Sequence, residues 1–261
     1  MNNQYPIGLF DSGVGGTSIW HEVHRLLPHE NTVYFADSHN APYGDKSQDE
    51  IIALSKQKVE FLLEKNAKVI VVACNTATTN AMKVLRHDYA VPFVGLEPAI
   101  KPAAALTKTG HIGVLATKRT IISEQYQLAA ESYQNVTVHS QIGYDLVSLI
   151  EAGNINTPEM DALLCQYLNP MLAQDIDQLV LGCTHYPYLK ENLQRLLPAH
   201  IAIIDSGVAV ARQTKCILET HGLLNDSGKQ GQNAFYTNGD LAVLQSFVPN
   251  ESHVFHQDVW N

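Results

Sequence analysis

The chain has 261 residues, 45% of them hydrophobic, enough for one large α/β domain or two smaller ones with real cores. Its formal net charge is −9 and no lysine- or arginine-rich stretch occurs, which argues against nucleic acid or an anionic membrane as partner. Four cysteines, at positions 74, 165, 183 and 216, form neither a CxxC pair nor a disulfide framework, a usage that suits a reducing cytosol.

The amino terminus, MNNQYPIGLF, carries no basic stretch and meets a strand-like run at once, which argues against a signal peptide. No apolar run approaches the length of a bilayer. Strand-like runs then follow in order: IGLF from Ile7, TVYFA from Thr32, VIVVA from Val69 and PFVGL from Pro92. A second set comprises HIGVLA from His111, VTVHS from Val136, QLVLG from Gln178 and IAIID from Ile201. Most are continuously apolar, the mark of parallel strands covered on both faces. Between them lie helix-like stretches such as QDEIIALSKQKVEFLLEKN from Gln48 and TPEMDALLCQYLNPMLAQD from Thr157, where Pro158 suits a first helical turn. The alternation predicts an α/β protein with doubly wound parallel sheets.

The chain also echoes itself. IGLFDSG from Ile7 returns as IGVLATK from Ile112, 105 residues on, and the stretch around Cys74 returns around Cys183, 109 residues on. Two similar domains facing a cleft would explain both offsets. PAIKPAAALT after Glu97 reads as the first crossing between them and IIDSGVAVA near Asp205 as the return, while NDSGKQGQN reads as a surface loop.

Cys74 follows VIVVA and precedes Asn75 and Thr76; Cys183 follows LVLG and precedes Thr184 and His185. In parallel sheets, ligands gather beyond the carboxyl ends of strands, where both thiols fall. One such cysteine would be read as a small apolar residue. Two at echoed positions, each followed by polar donors, point to chemistry, because a thiol titrates near 8.5 and is tuned by its neighbours. Cys165 and Cys216 sit inside helix-like runs and read as structural.

The stretch IGLFDSGVGGTSI has the outline of a phosphate loop but lacks the lysine of one and the third glycine of a dinucleotide fingerprint. Its glycines would let amides approach an anion, whereas Asp11 at the strand end would welcome a cation or a proton. A ligand bearing both charges fits better; the competing reading is that Asp11 or Ser12 only caps the next helix. His185, two residues beyond Cys183, is placed to assist that thiol. His21, Glu22 and His24 have the wrong spacing for a zinc helix, so no metal site is assigned. Glu151 is an acid directly after an apolar run.

FDSGVGG, PYG, CNTAT and LGCTHYP, in this order and at these intervals, resemble the glutamate racemases of the cofactor-independent aspartate/glutamate racemase superfamily, over roughly residues 6–212. The resemblance implies two pseudo-twofold α/β domains with the active site in the cleft between them. It implies interconversion of L- and D-glutamate in the cytoplasm, without a cofactor, to supply D-glutamate for peptidoglycan. Cys74 and Cys183 match the catalytic thiols, the first taking the α-proton from D-glutamate and the second from L-glutamate. Asp11, Ser12, Tyr43, Gly44, Asn75, Thr76, Thr184 and His185 match substrate-contacting positions. Asp11 and His185 also match residues that assist their thiols, and Glu151 matches an acid near the second.

On this reading residues 1–97 with 207–261 form the domain of Asp11 and Cys74, and residues 98–206 that of Cys183 and His185. Family members are often dimers, so a homodimer is expected. Departures are FADSHNAPYG in place of a Gly-Asp-Thr-like stretch before PYG, and GYDLVS where a Cys-Pro start leads to LIEAG. The alternatives are a racemase of aspartate or a hydantoin, and a non-catalytic amino-acid-binding regulator. Retention of both thiols speaks against the regulator.

Overall fold

The computed structural model describes residues 2–258, within which all strand pairings are parallel. Strands β1 (Ile7–Asp11), β2 (Thr32–Ala36), β3 (Val69–Val72) and β4 (Phe93–Gly95) come first. Strands β5 (His111–Ala116), β6 (Thr137–Ile142), β7 (Gln178–Gly182) and β8 (Ala202–Ile204) follow, and β9 (Asn233–Thr237) and β10 (His253–His256) close the chain. They make two sheets, of order β10-β9-β2-β1-β3-β4 and β6-β5-β7-β8. The first four strands and the next four therefore repeat one order, 2-1-3-4, which is the basis of the sequence echo.

Burial follows the hydrophobic runs. Every residue of β1, β2, β3 and β7 is buried, as expected when helices cover both faces. Strand β6, an edge, is not: its pattern is exposed and half-buried throughout. All eight strands expected from the sequence are present. The other two, NAFYT and HVFH, were not expected, because both are short and polar-tipped and carry a weak hydrophobic signal, although only HVFH lies at the sheet edge. Strand β9 docks on β2 from Thr32 opposite Asn233 and buries Phe235 edge-on against Trp20, 4.8 Å between centroids.

The helices start where the sequence supplies caps. Ser47 and Glu50 form a reciprocal capping box at the start of the helix Gln48–Glu64, and Thr157 caps the helix Pro158–Leu172. The stretch after Glu97 forms the helix Ile100–Leu106, which leads into β5. Beyond β8 the helix Gly207–Thr220 returns to pack on the helix Thr17–Leu26 and on β4. No helix among the described residues is long and apolar enough to cross a membrane.

In each sheet the strand order reverses beside the first strand of the repeat. The crevices open at the carboxyl ends of β1 and β3 in one sheet and of β5 and β7 in the other, and ligands bind at such switch points. Ser12 leaves β1 and Cys74 lies just past β3; Thr117 leaves β5 and Cys183 leaves β7.

Candidate active site

Cys74 ends an extended segment and caps the helix Asn75–Asp88, its Sγ accepting from the amide of Ala77 at 3.4 Å. Ser12 Oγ lies 3.7 Å from the same sulfur. Beside them Asp11 is fully buried. Burial, and then the Asp11 carboxylate, push the Cys74 thiol well above the ordinary thiol range, so it is held protonated. Burial also raises Asp11, against an opposing pull from His185, whose Nδ1 is 4.0 Å from Oδ2. That same Oδ2 accepts from the amide of Gly16, the residue preceding the helix Thr17–Leu26. Asp11 thus steadies a helix start and also faces the thiol.

Around Cys183 the partners differ. His185 Nδ1 sits 3.8 Å from the Cys183 sulfur, and Nε2 lies 2.6 Å from Glu151 Oε1. The amide of Gly15 also points at Nε2, at 3.3 Å. The shorter carboxylate contact places the proton on Nε2, leaving the glycine amide without an acceptor there. Burial disfavours the imidazolium, but the hydrogen bonds to Cys183 and Glu151 outweigh it and raise His185 well above its ordinary value. Glu151 Oε1 further accepts from the amide of Val14 at 2.7 Å, and Oε2 from Ser38 at 2.9 Å.

These contacts explain the glycine loop. A Cβ on Gly13 would stand 1.8 Å from Glu151 Oε1, and one on Gly15 2.2 Å from His185 Nδ1. The loop is glycine-rich because acid and imidazole pack directly on its backbone. Its amides serve the protein's own carboxylates: Val14 reaches Glu151 and Gly16 reaches Asp11.

A third group joins the two sheets. Thr76 Oγ1 lies 2.9 Å from Thr117 Oγ1 and 3.3 Å from Thr120 Oγ1, and Gly44 lies against Thr117. Thr184 reaches Asp11 in the opposite sense, at 3.4 Å. Tyr43 is buried and donates to Asp37, which Asn40, Asn238 and Lys58 also hold. Asn75 presents a buried Nδ2 that makes no hydrogen bond within the described residues. The structure therefore gathers all eleven sequence-derived residues at the junction of the two sheets. Sequence reasoning missed Thr117, Thr120, Tyr34 and Ser38. The internal echo could have found Thr117, since aligning Ile112 on Ile7 sets it opposite Ser12. Cys165 is half-buried and Cys216 exposed, both within helices.

Two buried thiols at matching ends of matching sheets, one beside a carboxylate and one beside an imidazolium, define an enzyme built for proton transfer at a small polar substrate. The chain belongs to the Asp/Glu/Hydantoin racemase family, whose model matches residues 15–214. It is 46% identical over 238 residues to the glutamate racemase of Herpetosiphon aurantiacus, covering 91% of this chain and 94% of that one. Among solved structures it resembles the glutamate racemase isoform RacE1 of Bacillus anthracis, with TM-score 0.89, 32% identity and 99% of each chain covered. It also resembles Escherichia coli glutamate racemase in complex with L-glutamate and the activator UDP-MurNAc-ala, with TM-score 0.86, 33% identity, and coverage of 98% of this chain and 99% of that one.

Proposed function

We propose that this chain is a glutamate racemase, a cofactor-independent isomerase that interconverts L- and D-glutamate in the cytoplasm and supplies D-glutamate for peptidoglycan. The observation that carries the reading is the pairing of Cys74 with Asp11 and of Cys183 with His185 and Glu151, in a chain 46% identical to a glutamate racemase.

In the L-to-D direction the Cys183 thiolate takes the α-proton and the Cys74 thiol gives one to the opposite face. The products are D-glutamate, a Cys183 thiol and a Cys74 thiolate, and one proton must return from Cys183 to Cys74 to reset the pair. The reverse reaction exchanges the roles. The intermediate carries its charge on the α-carboxylate. Donors at Ser12, Asn75, Thr76 and Thr184, with Thr117 and Thr120, are positioned to stabilise it, each worth on the order of a hundredfold in rate. Asp11 pairs with the substrate ammonium, and Tyr43 and Gly44 wall the pocket. Residues 1–97 with 207–261, and residues 98–206, are the two domains that close on the substrate and exclude water. The working assembly is a homodimer, which light scattering of the purified protein tests.

The test is incubation with L-glutamate in D2O, following the α-proton by NMR and chirality by circular dichroism. Deuterium uptake with loss of optical activity is expected. Neither signal changing would refute the function. Faster turnover of L-aspartate would reassign the substrate within the family.

A further inference from the structure

Two contacts of the first sheet bear on the thiol of the second. Tyr34, fully buried on β2, donates to the carbonyl of Gly13 at 2.7 Å. The amide of Val14, in the same planar peptide unit, donates to Glu151 Oε1 at 2.7 Å. Fixing one end of that plane fixes the other. From Glu151 the contacts continue to His185 Nε2 and, through Nδ1, to the sulfur of Cys183. Ser38, two residues past β2, holds the remaining oxygen of Glu151. Glu151 thus has three partners besides the substrate pocket, and two of the three are governed by β2 and its exit.

We propose that Tyr34 and Ser38 are positioning residues that hold Glu151 against His185 and so set the proton partner of Cys183. Neither touches the thiol or His185; both act through Glu151. The arrangement makes the acid–imidazole pair of one sheet complete only when the glycine loop of the other is seated on it. The Val14 amide and the Ser38 hydroxyl fix where the carboxylate sits, so loosening either lets it move away from Nε2. The inference rests on the assignment of Cys183, His185 and Glu151 to the reaction. The titratable groups facing the pair are Cys183 on its own loop, Asp11 from β1, Glu151 from the helix Leu146–Glu151 and Tyr34 from β2. Cys74 and Tyr188 lie next to these.

The experiment titrates the His185 Cε1–H resonance of the free enzyme, assigned by its loss in His185→Asn, alongside the pH profile of kcat/KM. Ser38→Ala and Tyr34→Phe should each lower the His185 midpoint by about half a unit, the size of one neutral hydrogen bond, and move the alkaline limb the same way. The sign follows from losing support for the imidazolium. Ser38→Thr, which keeps the hydroxyl, should leave both in place. Glu151→Gln is the reference and should shift the midpoint further. If Glu151→Gln shifts it while Ser38→Ala and Tyr34→Phe leave it unmoved, the positioning role is overturned and the site assignment survives. If Glu151→Gln itself leaves the midpoint unmoved, the assignment falls and the inference with it. A merely structural loss would depress activity equally at every pH and leave the resonance where it was.

Discussion

The two cysteines occupy equivalent places in equivalent sheets, yet their surroundings are opposite in charge. Burial, and then the buried carboxylate it faces, push the Cys74 thiol up, while Cys183 faces an imidazole held as a cation. The backbone repeat supplies symmetric geometry; unlike side chains then break the symmetry of protonation. At the position matching Asp11 the second sheet carries Ala116, and at the position matching His185 the first carries Thr76. The free protein therefore holds Cys74 as a thiol beside a carboxylate and sets an imidazolium beside Cys183. L- and D-glutamate have the same free energy in water, so kcat/KM must be equal in the two directions for the native enzyme and every variant. The asymmetry is visible in protonation, in isotope exchange and in how that ratio divides between kcat and KM in each direction.

The largest effect comes from removing either thiol. Cys74→Ala and Cys183→Ala should each lower kcat/KM about a thousandfold, the scale of one acid–base group. In D2O the variants should part: Cys183→Ala retains slow α-exchange of D-glutamate, and Cys74→Ala that of L-glutamate. Exchange of both enantiomers at similar rates in either variant would break the comparison. Next come the glycines on the Cys183 side. Gly13→Ala and Gly15→Ala drive a methyl into Glu151 or His185, and displacement of a site by about 1 Å costs about a hundredfold. Activity within twofold of native would show that the loop is not seated on these groups during turnover.

Asp11→Asn tests the other side. Burial dominates the raised thiol of Cys74 and the Asp11 charge adds to it, so removing the charge leaves burial in place and relieves the rest. The thiolate absorbance of Cys74 should then appear at lower pH, by about one unit. An unchanged or higher midpoint would mean that Asp11 does not govern that thiol.

Much of this comparison was legible in the sequence, and the reason is physical. Strands covered on both faces must be apolar throughout, so β1, β3, β5 and β7 announced themselves, and each thiol was readable from the strand it follows. Strand β9, which lies between β2 and β10, was hidden because it is short and only Phe235 and Thr237 in it are fully buried, and the edge strand β10 because most of it meets solvent. The glycine loop was legible as a place of close approach, but not what approaches. Glu151 lies more than a hundred residues away, and only the fold puts it on the Val14 amide. Tyr34 and Ser38 were invisible for the same reason: each acts on the site through another residue, and no local pattern marks that.

The smallest expected effect sharpens the comparison at the cross-contact on the Cys74 side. There Gly44 from the PYG stretch lies against Thr117, as Gly13 lies against Glu151. A Cβ on Gly44 would come 3.0 Å from the Thr117 Cβ and 3.4 Å from its Cγ2. Those are tight carbon contacts that a few tenths of an ångström relieve, whereas the 1.8 Å approach at Gly13 admits no relief short of expelling the carboxylate. Gly44→Ala should therefore lower kcat/KM only about threefold, through KM, because Thr117 shifts with its hydroxyl still between Thr76 and Thr120. A loss as large as that of Gly13→Ala would place the hydroxyl cluster under the same steric demand as the Glu151–His185 pair. The two halves of the site would then differ in charge alone and not in how closely the backbone must approach.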